Sequence, residues 1–178
     1  MRKSLIILGI LNDGDLEWLI ENGSGRRLQE GDYLLRQGLK VEAMYFLLDG
    51  RLGVELETPE AKQLAELESG EVVGEISLLD SRAATASVRA LDEALVLEIR
   101  HDELKPKLEA DVGFQARIYR SLGMFLAQRM RSTILTLGYG DDRTEEDEEE
   151  IDEIEPQLLD AVERAAKRFE LMVSKVKV

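Results

Sequence analysis

The sequence predicts a mainly β domain, a sandwich, barrel or jelly roll, flanked by helices and followed by one long helix. Three observations predict it. Between residues 25 and 99, short runs of apolar residues are separated at regular intervals by glycine-containing turns, the pattern of a closed or two-layered all-β fold. Over residues 111–137, apolar residues recur at three- and four-residue spacing, the period of a helix buried along one side. After Pro156 a second periodic row begins, with heptad spacing.

Length and composition narrow the classes. The 178 residues suit one compact domain with appendages. There are no cysteines, which excludes disulfides, zinc ribbons and thiol nucleophiles and suits a reducing, cytoplasmic setting. The apolar run Leu5-Ile6-Ile7-Leu8 is too short for a signal peptide, and no run is long enough to span a bilayer. Formal net charge is −14, and residues 138–178 hold 14 of the 37 acids against 6 of the 23 bases. Neither part has the basic footprint of a nucleic-acid binder, so no specific nucleic acid is expected.

In chain order, residues 1–10 begin basic and continue apolar, a pattern that fits either a strand or a helix. Asn12-Asp13-Gly14-Asp15 is a cap-rich turn, and residues 16–23 read as a short helix ending at glycine, with Trp18 as a packing residue. Strands follow at 27–29, 33–36 and 44–48, the last strongly apolar. Asp49-Gly50 is the two-residue hairpin signal, and Leu52, Val54 and Leu56 return in alternation. Residues 58–62 form a loop, 63–67 alternate again, Gly70 turns the chain, Val72-Val73 is a buried run, and 87–91 pairs with 94–99. His101 has no second histidine or cysteine beside it, so it reads as a surface or capping residue and no metal is expected. Pro106 interrupts the short segment 102–108.

Asp111 is a good N-cap for the long helix. One row on that helix is Phe114, Ile118, Leu122, Phe125 and Arg129, and a parallel row is Tyr119, Leu126, Met130, Ile134 and Leu137. This face is too wide for one small domain, so a homodimer through residues 111–137 is expected, with Leu122 and Phe125 at the seam. Gly138-Tyr139-Gly140 breaks the helix. Residues 141–155 then hold eleven acids and one arginine, a solvated linker without the glycine and alternating ligands of a calcium loop. Leu158, Val162, Ala165, Phe169, Met172 and Val176 form the last heptad row, opposite Arg164, Lys167, Arg168, Lys175 and Lys177. That row must bury itself on the domain, a partner protein, its own copy or a membrane surface. A single helix here is too little for a helix-turn-helix.

The stretch that carries chemistry lies between Gly70 and Ala90. A short strand ends at Gly74, one helical turn spans residues 75–79, and Arg82 opens a run of small residues before the next strand. Amides at a helix start, an arginine fork and small side chains make a cradle for a small anion.

Val73-Gly74-Glu75-Ile76-Ser77-Leu78-Leu79, then Arg82-Ala83-Ala84-Thr85 and Ser87-Val88-Arg89-Ala90, resembles the phosphate-binding cassette of cyclic-nucleotide-binding domains. That pattern runs Phe-Gly-Glu-Leu-Ala-Leu-Leu, a short loop, then Pro-Arg-small-Ala-Thr-Val-Arg-Ala. The resemblance covers about residues 10–137. It implies a β-roll of the catabolite activator protein type, a double-stranded β-helix or jelly roll, without the DNA-binding helix-turn-helix. It makes the long helix both dimerisation element and lid over the base. It places Glu75 on the ribose 2′-hydroxyl and Arg82 on the phosphate. Val73, Gly74, Ile76, Ser77, Ala83 and Ala84 complete the expected site. The implied ligand is cyclic AMP or cyclic GMP. Ala83, where some cyclic-GMP binders carry threonine, leans to cyclic AMP.

One departure bears on function. The family's phosphate arginine sits five residues before the arginine of Val-Arg-Ala, and five before Arg89 is Ala84. Ser81 also replaces the family's proline. Either the loop is rearranged and Arg82 reaches the phosphate, or the cassette has lost its anion ligand. The expected organisation is a sensor domain at 1–137, an acidic linker at 138–155 and an amphipathic helix at 156–178. The expected function is a stand-alone, non-enzymatic cyclic-nucleotide sensor that signals through its long helix and tail to a protein partner. The alternative is a degenerate roll kept as a dimeric interaction module.

Overall fold

Six consecutive residues, 43–48, are buried, and the reason organises the whole molecule. They belong to β3 (Ala43–Asp49), an inner strand of a sheet covered on both faces. The computed structural model, which describes residues 5–57, 62–136 and 156–176, holds two four-stranded antiparallel sheets. The first runs β1 (Ser24–Leu28), β8 (Ala94–Arg100), β3, β6 (Val72–Val73). The second runs β2 (Tyr33–Leu35), β7 (Ser87–Ala90), β4 (Arg51–Leu56), β5 (Lys62–Glu68).

Successive side chains of a strand point to opposite faces. Ala43, Tyr45 and Leu47 therefore enter the space between the sheets, with Leu28, Leu52 and Val88. Met44, Phe46 and Leu48 enter a second layer roofed by helices, with Leu16, Leu19, Phe114 and Ile118. This is the expected β-roll, flanked by helices on one side.

The opening run is a helix, α1 (Leu5–Ile10). Asn12 then caps α2 (Asp13–Asn22) in a reciprocal capping box, with Asp15 N donating to Asn12 Oδ1 at 2.8 Å and Asn12 N to Asp15 Oδ2 at 2.9 Å. Asp15 also receives two hydrogen bonds from Arg117, which fastens α2 to the long helix. α3 (Glu75–Asp80) is the single turn of the cassette. α4 (His101–Ala110) runs straight through Pro106, contrary to the expected interruption. The proline is exposed, in the middle of the helix, and removes the one backbone bond its N–H would have made to the carbonyl of Asp102. His101 is not on the surface either. It is 7% exposed, and its backbone N–H bonds Glu42 O at 2.8 Å, which pins the start of α4 to the residue before β3.

α5 (Val112–Thr136) sorts its two apolar rows. Phe114, Ile118, Leu122 and Phe125 are at most 2% exposed, against the roll. Leu122 and Phe125 are therefore core residues of their own domain, which corrects their expected place at a seam. Tyr119, Met130 and Ile134 remain 42–62% exposed, and Gly123 on the same side has open space around it.

α6 (Pro156–Lys175) lies on its own domain, against α1 and α2. Ala165 and Met172 are fully buried there, and Phe169 and Val176 pack beside them. Arg168 donates to Leu8 O at 2.9 Å, to Leu11 O at 2.6 Å and twice to Asp13 Oδ1. It thereby satisfies carbonyls that the end of α1 leaves free. Arg168→Ala is expected to loosen α6 without disturbing the roll. Hydrogen exchange in residues 163–176 should accelerate by roughly tenfold or more, since hydrogen bonds to a charged group are each worth about 1.5–3 kcal/mol, while protection of β3 and β8 stays unchanged. The acidic run 141–155 lies outside the described residues.

Candidate functional site

The cassette forms where it does because β6 must leave the sheet at Gly74. Gly74 has φ +83°, and a Cβ there would collide with the carbonyl of Ala43 and press on Val41 Cγ1 at 3.3 Å. Only glycine fits such a backbone. α3 then starts with Glu75 and ends at Ser81, whose N–H bonds Ser77 O at 3.0 Å. Ser81 has φ +58° and is the one non-glycine residue with positive φ among those described.

Glu75 is 1% exposed and ion-paired. Arg129 of α5 donates from Nη1 to Glu75 Oε1 at 2.7 Å and from Nη2 to Val72 O at 3.2 Å, with its guanidinium 4.5 Å from the Phe125 ring centroid. Burial pushes the Glu75 carboxyl above its ordinary range, and Arg129 pulls in the opposite direction, as does the residue's own amide. The long helix thus reaches into the cassette through one charged fork. One carboxylate oxygen takes Arg129, and a carboxylate has capacity for further donors.

Arg82 sits apart from this pair. Its side chain is 83% exposed, with Nε 3.7 Å from Asp80 Oδ2, and its backbone N–H bonds Asp80 Oδ1 at 3.0 Å. Ala83 is exposed. Ala84 is half-buried and paired through its backbone to the turn after β2, with Ala84 N donating to Leu39 O at 2.9 Å and Gly38 N to Ala84 O at 2.8 Å. Val73 is buried between the sheets, Ile76 is 41% exposed, and Ser77 is buried on the opposite side of α3 from Glu75. The structure therefore brings Glu75 together with Arg129 and leaves Arg82 at the rim.

Two other arginines near this loop are committed. Arg36 stacks on the Tyr33 ring at 3.7 Å and lies 3.6 Å from Glu57, and Arg89 lies 3.6 Å from Glu55. Tyr33 Oη donates to Glu55 Oε1 at 2.7 Å, which raises the phenol pKa. Ser87 Oγ donates to Glu57 at 2.6 Å.

Sequence reasoning placed Arg129 in an apolar row and missed its role. The signal was there: an arginine in register with Phe114, Ile118, Leu122 and Phe125 points at the core, and a cation that points at a core needs a partner in it.

Among the described residues, no helix is long and apolar enough to cross a membrane. Residues 25–111 match the cyclic nucleotide-binding domain family. An uncharacterized NTE family protein of Mycobacterium tuberculosis is 27% identical over 126 residues, 71% of this chain and 21% of that protein. The chain thus spans about a fifth of the length of this relative. The cAMP-activated global transcriptional regulator CRP of Salmonella typhimurium is 26% identical over 129 residues, 71% of this chain and 60% of CRP. A crystal structure of a cyclic nucleotide-binding domain from Methylobacillus flagellatus superposes with a TM-score of 0.67 at 18% identity, over 74% of this chain and 79% of that one. It shares the fold: two facing antiparallel sheets with helices against one of them.

Proposed function

We propose, for a chain that belongs to the cyclic nucleotide-binding domain family through residues 25–111, that it is a regulatory sensor of a cyclic nucleotide. Cyclic AMP is the preferred ligand in this reading, through Ala83. The observation that carries it is the Glu75–Arg129 pair, because it joins the ribose position of the cassette to the long helix. A nucleotide that shares Glu75 changes the balance of forces on Arg129, and so on α5. Only a ligand with different affinities for two arrangements of α5 can shift them. Glu75 takes the ribose hydroxyl, and Arg82 swings in from the rim to take the phosphate. Val73, Gly74, Ile76, Ser77, Ala83 and Ala84 supply the walls and amides.

Residues 1–137 act as the sensor, 138–155 as the linker and 156–178 as the tail that passes the signal to a protein partner in the cytoplasm. The exposed row of Tyr119, Met130 and Ile134, beside the open Gly123, serves as the seam of a homodimer. Tyr119→Glu with Met130→Glu is expected to halve the mass measured by light scattering while leaving the circular dichroism of the roll intact. A monomeric wild type at tens of micromolar, roughly where moderate affinities act, argues against the seam.

A specific observation favours a second reading. Arg82 is exposed beside Asp80, so a cassette without its phosphate ligand leaves a dimeric interaction module. Thermal unfolding with and without cyclic AMP and cyclic GMP separates the two. A sensor gains about 2.7 kcal/mol at a hundredfold excess of ligand over its dissociation constant, and a module gains nothing.

A further inference from the structure

α3 has a second face. Ser77 and Ser81 lie four residues apart and roughly opposite Glu75 on the helix. Both border a cavity of about 290 Å³ between α3, the start of β3 and the root of α4, and His101 and Lys105 border it from the other side. The volume is close to the lower limit for small-molecule sites, about 300 Å³.

Four polar groups line the cavity without partners among the described residues. Ser77 and His101 are each only 7% exposed. Nε2 of His101 is buried and has no hydrogen-bond partner among the described residues, and the Val41 backbone acts on the ring from the other side. Among the described residues, neither hydroxyl, Ser77 Oγ or Ser81 Oγ, has a partner, nor does Lys105 Nζ. The other charges at the mouth are matched. Lys40 bonds Glu42 at 3.0 Å, and Arg100 bonds Asp102 at 2.8 Å. The first amide of α4 is also occupied, since His101 N–H bonds Glu42 O at 2.8 Å. The cavity therefore keeps one unmatched cation, two hydroxyls and one imidazole lone pair. Burial and the nearby Lys105 lower the His101 pKa, against Asp102, the Val41 backbone and Glu42; a neutral imidazole with its proton on Nδ1, toward Val41, offers Nε2 as an acceptor.

We propose that this cavity is a second ligand site, taking a small oxyanion that still carries a proton, the chemistry of hydrogen phosphate. Its oxygens accept from Lys105 Nζ, Ser77 Oγ and Ser81 Oγ, and its hydroxyl donates to His101 Nε2. A fully deprotonated oxyanion such as sulfate has no donor for the imidazole and leaves that nitrogen unpaired.

The test is titration of the full chain with inorganic phosphate, followed by phosphorus NMR linewidth. Saturable broadening is expected, with a dissociation constant on the order of 1 mM. Ser81→Gly keeps the positive φ and removes the hydroxyl, and Lys105→Met keeps the stem and removes the charge. Each should weaken binding by about fivefold or more without lowering the melting temperature. A tenfold excess of sulfate should fail to displace phosphate. Non-saturating broadening, or variants that broaden the signal as much as wild type does, identifies an adventitious ion only and overturns the site. Equal competition by sulfate overturns the role given to His101. The measurement uses no nucleotide, and Arg82→Ala should leave it unchanged, so it stands apart from the cassette reading.

Discussion

Arg129→Met is expected to destabilise the domain by about 3 kcal/mol, the lower end of what breaking a buried ion pair costs when one charge is left behind. The lower end applies because the Arg129 side chain is 33% exposed while that of Glu75 is 2% exposed. For a chain of this size the melting temperature should fall by roughly 10 °C. The loss has a pH signature. The folded-state pKa of Glu75 is already raised by burial, and removing Arg129 raises it further. A raised carboxyl favours the folded state while protonated. That contribution is complete below the ordinary glutamate value and is lost as pH rises through the folded value. The deficit of Arg129→Met relative to wild type should therefore shrink as pH is lowered toward about 4.5. Glu75→Gln combined with Arg129→Met should recover most of the stability, because no charge is then stranded. A deficit that is constant with pH, or undiminished in the double variant, would place the cost in packing against Phe125.

The second large effect is on affinity. If Arg82 is the phosphate ligand, Arg82→Ala should weaken cyclic AMP by ten- to a hundredfold, roughly the worth of a charge-assisted hydrogen bond. The chain must first break the Asp80 contact, but an exposed pair at 3.7 Å costs little to separate. If the strand register decides instead, Ala84 stands where the arginine belongs. Its N–H and C=O are both tied to the Gly38–Leu39 turn, so the backbone there is fixed, and Ala84→Arg projects a guanidinium from a defined position. In that case wild type binds feebly and Ala84→Arg gains at least tenfold. Fluorescence titration of the three proteins with a labelled cyclic nucleotide decides between the registers. Tight binding that survives Arg82→Ala refutes the assignment of Arg82.

The roll was legible because its strands advertise themselves. Asp49-Gly50 marks the β3–β4 hairpin, and the uninterrupted apolar run in β3 has two cores to serve. The cassette was legible through Gly74, whose φ and closeness to Ala43 leave no other residue possible. What stayed hidden was set by tertiary contact. α1 reads equally well as strand or helix, and its choice depends on packing between α5 and α6. The seat of α6 could not be read from its own periodicity, because a heptad row does not name its partner. His101 looked bland because isolated histidines are ambiguous; its burial and its occluded Nε2 show that it turns inward. On α5, burial puts Leu122 and Phe125 in the domain's own core and not at a seam, because spacing alone does not tell which of two parallel rows faces the roll.

The most direct test of the cassette as a nucleotide site is calorimetric titration of the wild-type chain with cyclic AMP and, in parallel, with its 2′-deoxy analogue. Glu75, buried and shared with Arg129, predicts saturable binding of cyclic AMP at one site per chain. It also predicts an affinity for the deoxy analogue lower by about tenfold, since the analogue leaves a buried carboxylate oxygen without its donor. Equal affinities would remove Glu75 from the ribose, and no heat with either nucleotide would contradict the sensor.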